Sequence, residues 1–194
     1  MIRPLLTAFL YASLSLAASP SLAESPSAAT LAEISELREG DMRKLVVHSA
    51  VKPVAEISFE TLDGAQFGLG DSNGKIRIVN FWATWCAPCR AEKPALDALN
   101  RELGGDDFEV IAIATGRNSP AGIKKFNADV GVETLTTYLD NRSAAARSMG
   151  VLGLPVSVIL DRDGNEIGRL SGGADWTSPS THAILDRLIA DPSS

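Results

Sequence analysis

Apolar and polar positions along the chain follow two periodicities, which divide it into candidate strands and helices. Residues 57–61 alternate apolar with polar side chains, the turn pair Asp63-Gly64 follows, and residues 66–69 continue the pattern. This combination predicts a β-hairpin. Residues 76–83 instead carry apolar side chains on both faces, which is typical of a strand buried at the centre of a sheet.

Apolar residues at helical spacing and further β-rich stretches account for most of the remaining chain. The predicted helices are 31–40, 88–103, 120–130, 142–149 and 178–189, and the predicted strands are 110–115, 134–139, 156–160 and 166–170. Ser119 and Pro120 stand where an N-cap and a first helical residue are favoured. Strands that alternate with helices and close on a hairpin indicate an α/β fold, with a central mixed sheet flanked by helices.

Residues 1–23 have the layout of a secretory signal peptide. Arg3 precedes an uncharged, mostly apolar run over 5–18, and Ser21-Leu22-Ala23 offers small residues for cleavage after Ala23. The run is shorter than the roughly 17–25 residues that a membrane-spanning helix needs, although an uncleaved membrane anchor is the alternative. Both interpretations place the folded domain outside the cytoplasm, in the periplasm.

Residues 24–52 are predicted to form a linker with one short helix, and residues 53–191 the folded domain. Hydrophobic residues make up 45% of the sequence and charged residues 22%, which fits a globular protein with a core. The formal net charge is -6. A nucleic-acid-binding protein is disfavoured because such proteins carry a basic patch or stripe.

The two cysteines of the sequence, Cys86 and Cys89, are three positions apart. A disulfide between them would close almost no loop and so would stabilise the fold little, which points to chemistry rather than to a structural cross-link. A structural zinc site needs four ligands, and only His48 and His182 could supplement the pair. A zinc site is therefore disfavoured.

The segment around the cysteines leaves the predicted buried strand and enters a predicted helix. Unpaired N–H groups and the helix dipole favour a negative charge on Cys86 at this helix N-terminus, and a Cys-x-x-Cys arrangement also lowers a thiol pKa. The thiolate is the attacking species in disulfide exchange. Cys86 is therefore predicted to attack a target disulfide, and Cys89, one turn inside the helix, to resolve the mixed disulfide.

At residues 79–89 the sequence Val-Asn-Phe-Trp-Ala-Thr-Trp-Cys-Ala-Pro-Cys resembles the active site of the thioredoxin superfamily, and more narrowly that of the bacterial TlpA/ResA-type thiol–disulfide oxidoreductases. Pro94, the Gly153-Leu154-Pro155 loop and the tail 172–176 extend the resemblance, and the tail is TlpA-like in particular. The resemblance implies a thioredoxin fold with an N-terminal β-hairpin and a central insertion between residues 94 and 153. It also implies a cis peptide bond before Pro155, beside the cysteine pair.

The resemblance further implies roles for two sets of residues. The implied catalytic residues are Cys86, Cys89, Glu92 and Pro155, and the implied substrate-binding residues are Trp85, Ala87, Pro88 and Leu154. Glu92 lies one helical turn after Cys89, where a semi-buried carboxyl could accept and return its proton; a solvated glutamate on the helix face is the alternative. Two positions are unusual: Asn80 stands where plain thioredoxins carry a buried acid, and Lys93 where the family has an apolar residue.

The same fold and motif serve reductants and oxidants, so they leave the direction of electron flow open. By resemblance we expect an enzyme that reduces disulfides in exported protein clients, needs no cofactor beyond its own Cys86–Cys89 disulfide, and receives electrons from a membrane thiol reductase. Assembly proteins of the cytochrome oxidase copper site are the favoured clients, and apocytochrome c is the alternative. A non-catalytic docking module and a copper-handling protein are further alternatives. A peroxiredoxin-like enzyme is disfavoured because Asn80 stands where its motif has proline.

Overall fold

Residues 25–194 are described by a computed structural model, in which a mixed eight-stranded sheet forms the centre of the fold. The strands are β1 (Leu45–Lys52), β2 (Ser58–Thr61), β3 (Gln66–Gly68), β4 (Ile76–Trp82), β5 (Phe108–Thr115), β6 (Thr137–Asp140), β7 (Val156–Leu160) and β8 (Glu166–Ser171). The α-helices are α1 (Ala28–Glu36), α2 (Ala87–Leu103), α3 (Pro120–Val130), α4 (Ala144–Ser148) and α5 (Pro179–Ile189). Short 3₁₀-helices cover Gly40–Lys44 and Leu69–Ser72.

The strand order across the sheet is β1-β8-β7-β4-β5-β6-β2-β3. Strands β4, β5 and β6 run parallel to one another, and the other neighbouring strands are antiparallel. The mixed sheet confirms the predicted α/β class. The helix at 120–130 and the strand at 156–160 have the predicted bounds, and Ser119 caps the helix as expected.

The predicted hairpin is formed by β2 and β3 at one edge of the sheet. Ser58 lies opposite Gly68, and Gly64 in the connecting turn has a φ of +92°, a conformation that glycine adopts without strain. Strand β2 also pairs with β6, where Glu60 lies opposite Leu139. The hairpin is therefore joined to the rest of the sheet through the central insertion.

Strand β1, at the opposite edge, was not predicted from the sequence. It lies within the range 24–52 that we expected to be linker and short helix, and it pairs antiparallel with β8 so that Leu45 lies opposite Leu170. Only Leu45 of this strand is fully buried. Because an edge strand has one neighbour and little burial, it lacks the apolar alternation by which strands are recognised.

Strand β4 is buried along its whole length, because β5 and β7 flank it and helices cover its faces. Ile78 and Trp82 belong to the core cluster that includes residues of α2 and α5, whereas Val79 and Phe81 belong to the cluster on the other side of the sheet. Because successive residues of a strand point to opposite faces, Asn80, which lies between Val79 and Phe81, shares a face with Ile78 and Trp82. This places a polar side chain in the core beneath α2.

Helix α1 is tied to the C-terminal helix α5. Leu31 and Ile34 of α1 are buried, and Arg187 of α5 forms an ion pair with Glu33. The hydroxyl of Thr30 donates to the carboxylate of Asp191 just after α5. The predicted short helix therefore packs on the folded domain.

The predicted signal peptide, residues 1–23, lies outside the described residues. Within residues 25–194, the helices are too short or too polar to cross a membrane. The division at residue 53 and the choice between a cleaved signal and an anchor stay predictions.

Candidate active site

The cysteine pair lies where the chain leaves the central strand β4 and enters α2. Cys86 occupies the N-cap position of α2 and Cys89 lies in its first turn. The two are joined by a disulfide, with an S–S distance of 2.06 Å and a Cα–Cα distance of 5.3 Å. Cys86 is 6% exposed and Cys89 is completely buried, so the first sulfur is the more accessible of the two, as the sequence predicted.

The surroundings of Cys86 favour a negative charge on its sulfur. The backbone N–H of Cys89 donates to Sγ of Cys86 over 3.3 Å. This N–H is one of the amides that a helix leaves unpaired at its N-terminus, where the helix dipole also favours an anion. Once the disulfide is reduced, the same groups stabilise a Cys86 thiolate.

Asn118 holds the turn that precedes the cysteines. Its Oδ1 accepts hydrogen bonds of 3.0 Å from both the backbone N–H and the hydroxyl of Thr84, and its Nδ2 donates to the carbonyl of Thr115. Sequence reasoning missed this residue. A signal was available, since Asn118 follows β5, and the carboxyl ends of the parallel strands β4 and β5 lie at the same edge of the sheet.

Replacing Asn118 by Ala should lower the free energy of unfolding of the oxidised protein by about 1–3 kcal/mol, because the amide and hydroxyl of Thr84 lose their partner. Urea denaturation measures the change. The matched control is Asn127→Ala on α3, where the Oδ1 removed is buried without a hydrogen-bond partner in the described part of the chain. Equal unfolding midpoints for the wild type and the Asn118 variant would contradict this role.

Glu92 is buried at 4% exposure, and both its carboxylate oxygens accept hydrogen bonds. Oε1 accepts from Nδ2 of Asn80 at 3.0 Å, and Oε2 accepts from the backbone N–H of Ala174 and from the indole of Trp176, each at 3.1 Å. The alternative of a solvated glutamate on the helix face is therefore wrong. Neither donor in the tail was predicted, because tertiary packing alone brings Ala174 and Trp176 over α2.

Burial raises the pKa of Glu92 above its ordinary value, because a charge in the core loses its hydration. The hydrogen bonds from Trp176 and Asn80 act in the opposite direction, as does the positive charge of Lys93, and they offset only part of the effect. The result is a carboxyl group that takes up a proton more readily than an exposed glutamate does.

Lys93, the unusual residue next to Glu92, is completely buried. Its Nζ donates to Oδ1 of Asn80 over 2.8 Å and lies 4.2 Å from the ring centroid of Trp82. Burial lowers the pKa of Lys93 to about 7, and the charge of Glu92 offsets part of this effect. The amide of Asn80 thus bridges Glu92 and Lys93, and the lysine is packed as a member of the core.

The loop before β7 lies at the end of the sheet from which the chain enters the cysteine turn, because Val156 pairs with Phe81 near the end of β4. The peptide bond between Leu154 and Pro155 is cis, as the resemblance implied, and the carbonyl of Pro155 accepts from the amide of Gly172 at 2.9 Å. Pro155 is buried and Leu154 is half-buried. Together with the fully exposed Leu152, they line an open groove of about 400 Å³.

The rim around Cys86 is open to solvent. Trp85 is 68% exposed, and Ala87 and Pro88 are also exposed, whereas Trp82 is completely buried beneath the turn. The tail passes close to this rim, because a Cβ added at Gly173 would lie 3.5 Å from the carbonyl oxygen of Pro88. An exposed aromatic ring beside the outer sulfur provides an apolar surface for a docking polypeptide.

Each of the two histidines lies beside a glutamate. Nε2 of His48 lies 2.8 Å from Glu166, and Nε2 of His182 lies 3.7 Å from Glu102. Across residues 25–194, no group of three or more His, Cys, Asp and Glu side chains is arranged to hold a metal ion.

A Cys-x-x-Cys disulfide at the start of a helix, in a fold that also has a cis-proline loop before β7, is typical of thiol–disulfide oxidoreductases with a thioredoxin fold. Residues 48–188 match the Redoxin family, and the chain belongs to that family. The predicted relationship to ResA-type oxidoreductases is thereby confirmed.

Two curated relatives and one solved structure illustrate the similarity. The chain is 30% identical over 159 residues to the thiol:disulfide interchange protein HelX of Rhodobacter capsulatus, covering 80% of this chain and 83% of HelX. It is 31% identical over 111 residues to the thiol-disulfide oxidoreductase ResA of Bacillus anthracis, covering 57% of this chain but only 63% of ResA. A thiol:disulfide interchange protein of the thioredoxin family from Chlorobium tepidum TLS superposes with a TM-score of 0.60 at 25% identity, covering 72% of this chain and 97% of that one.

Proposed function

We propose that this protein reduces disulfide bonds in exported client proteins, using the Cys86–Cys89 dithiol as its two-electron donor. The observation that carries the proposal is the Cys-x-x-Cys disulfide at the N-terminus of α2, whose first cysteine is 6% exposed and whose second is completely buried. Trp85, an exposed aromatic side chain next to Cys86 in the sequence, supplies an apolar surface on which a polypeptide can dock.

The first half of the reaction is an attack by the Cys86 thiolate on one sulfur of the client disulfide. A bond forms between Cys86 and that sulfur, the client disulfide breaks, and the second client sulfur leaves as a thiolate. The N–H of Cys89 and the dipole of α2 favour the thiolate form of Cys86. The half-buried Leu154 and the cis-proline loop hold the client backbone beside the site, as the resemblance implied.

In the second half, Cys89 loses its proton to Glu92 and attacks Cys86. The Cys86–Cys89 disulfide forms, the mixed disulfide breaks, and the first client sulfur leaves as a thiolate, so the dithiol has delivered two electrons. Glu92 then returns its proton to a departing client thiolate. The raised pKa of Glu92 suits this role, since a base with a pKa nearer the working pH both takes up and releases a proton readily.

The client class and the compartment are the finer part of the proposal. The signal-like segment at residues 1–23 supports action in the periplasm, whether the leader is cleaved or retained as an anchor. The TlpA-like tail, whose Ala174 and Trp176 bind Glu92, favours assembly proteins of the cytochrome oxidase copper site as clients. A membrane thiol reductase would return the pair to the dithiol form.

Replacing Cys89 by Ala should trap the client. The variant keeps the attacking Cys86 but has no thiol to resolve the mixed disulfide, so a Cys86-linked adduct should accumulate in cells and disappear on reduction. Mass spectrometry of the adduct identifies the client: a copper-site assembly protein supports the favoured branch, and apocytochrome c supports the alternative.

The matched control for trapping is the double variant Cys86→Ser/Cys89→Ala, which has no cysteine. It should form no adduct under the same conditions. Absence of any adduct with the single Cys89 variant, in cells that contain both client classes, would count against disulfide reduction by this mechanism.

A further inference from the structure

We propose that Lys93 is a positioning residue for the redox reaction: through Asn80, its buried ammonium group holds Glu92 ionised and oriented to accept the proton of Cys89. The inference rests on the proposed role of Glu92 and adds a residue to it. It concerns a position where the resembling family carries an apolar side chain. Lys93 acts on Glu92 and does not touch the sulfur atoms or the client.

The first step of the argument is the position of the ammonium group. Lys93 is completely buried, and its one hydrogen-bond acceptor in the described part of the chain is Oδ1 of Asn80, at 2.8 Å. The face of Trp82 lies 4.2 Å from Nζ, which provides a cation–π contact. A buried lysine with so few partners is costly to the fold, so it calls for a reason other than stability.

The second step is the orientation of the Asn80 amide. Its oxygen faces Lys93, which leaves both N–H groups of Nδ2 to donate to Oε1 of Glu92 and to Oγ of Ser157, each at 3.0 Å. A reversed amide would place its NH₂ group against the ammonium and its oxygen against the carboxylate. The positive charge of Lys93 therefore fixes the orientation in which Asn80 donates to Glu92.

The third step is the set of charges near the pair. The groups that meet Glu92 from the other elements are Asn80 of β4 and the tail donors Ala174 and Trp176, and Ser157 of β7 meets Asn80; none of the four is ionisable.

Other charged groups lie further from Glu92. Arg90 lies over the ring of Phe126, and Lys44 donates to the tail carbonyl of Gly173 and pairs with Asp41. Cys86 and Cys89 become titratable only in the dithiol. Lys93 is thus the one charge that favours ionised Glu92 within this buried network.

The consequence is a carboxyl group that is buried yet remains a base. An opposite charge nearby lowers the pKa of a carboxyl group by about 1–3, whereas burial alone raises it. Without Lys93, Glu92 would hold its proton to a higher pH. At any pH below the raised pKa, the fraction of Glu92 able to accept a proton would then fall about tenfold for each further rise of one in that pKa. Resolution of the mixed disulfide would slow in that pH range.

The test is a stopped-flow reaction of the reduced protein with 5,5′-dithiobis(2-nitrobenzoate), in which each half of the chemistry releases one coloured thiolate. The first release reports attack by Cys86, and the second reports closure by Cys89. In Lys93→Met, a flexible apolar replacement, the midpoint of the second phase should move upward by about 1–3 on the pH scale. Its rate should fall at about pH 6, where wild-type Lys93, with a pKa of about 7, is mostly charged. The first phase should keep the wild-type rate.

Three further variants make the outcome decisive. Lys124→Met removes an exposed positive charge from α3 and should leave both phases unchanged. Lys93→Gln, which keeps an N–H donor but lacks the charge, should move the midpoint in the same direction and serves if the Met variant fails to fold. In Glu92→Gln, addition of Lys93→Met should produce no further change in the second phase, because the two residues act through one group.

The contrary outcomes separate the two proposals. If Glu92→Gln leaves the second phase and its pH dependence unchanged, the proposed role of Glu92 fails. If Glu92→Gln slows the second phase but neither Lys93 variant moves its pH midpoint, the role of Lys93 alone is overturned. Equal slowing of both phases with a lower urea midpoint, and an unchanged pH midpoint, would show that Lys93 is merely structural.

Discussion

Replacing Cys86 by Ser should abolish catalysis, so that insulin disulfides are reduced only at the uncatalysed rate. An alcohol does not ionise at neutral pH as a thiol at a helix N-terminus does, so no attacking anion is formed. The thiol that remains in this variant, Cys89, is completely buried and should therefore react slowly with iodoacetamide. Because the disulfide closes almost no loop, its loss should change the unfolding midpoint little.

The control for this prediction is Cys89→Ser, which retains Cys86, the less buried of the two cysteines. Its Cys86 should be alkylated by iodoacetamide at the wild-type rate, and at a lower pH than free cysteine because the N-terminus of α2 stabilises the thiolate. Insulin reduction by the Cys86 variant would contradict the proposed chemistry. Full biological activity of that variant in cells would instead support the docking-module alternative.

The fold was largely predictable where burial leaves a periodic signal. Strand β4 carries apolar residues on both faces because it is covered on both, and the helices α2 and α3 begin and end at residues with strong local preferences. Strand β1 gave no such signal, since its pairing with β8 is decided by backbone hydrogen bonds at a sheet edge. The edge strand therefore becomes visible only in three dimensions.

The candidate site likewise has a part that the sequence predicts and a part that it does not. The cysteines and Glu92 lie close together in sequence on one helix, so their proximity follows from helical geometry. The groups that control Glu92 come from distant segments: Asn80 from β4, and Ala174 and Trp176 from the tail. Spacing along the chain gives no information on such contacts, and for that reason the sequence presented Lys93 only as an unusual residue.

Replacing Glu92 by Gln should slow resolution of the mixed disulfide by about 100-fold at neutral pH, a typical contribution of a general base. In the wild type, this step should slow as the pH falls through the pKa of Glu92, because the protonated carboxyl cannot accept the proton of Cys89. That pKa lies above the ordinary value of 4.5, so the decline should begin at a higher pH than for an exposed glutamate. The Gln variant should lose this dependence.

A glutamine at position 92 also places two hydrogen-bond donors against each other, which would not happen at an exposed position. If its oxygen accepts from Ala174 and Trp176, its NH₂ group faces the Nδ2 of Asn80, which cannot turn without giving up Lys93. The urea unfolding midpoint of the Glu92 variant must therefore be measured alongside the rate of the second thiolate release, to separate lost stability from lost proton transfer. Glu133→Gln, which changes a largely exposed glutamate, is the matched control and should leave both unchanged. A Glu92 variant that keeps the wild-type pH dependence of the second thiolate release would show that Cys89 gives its proton to another group.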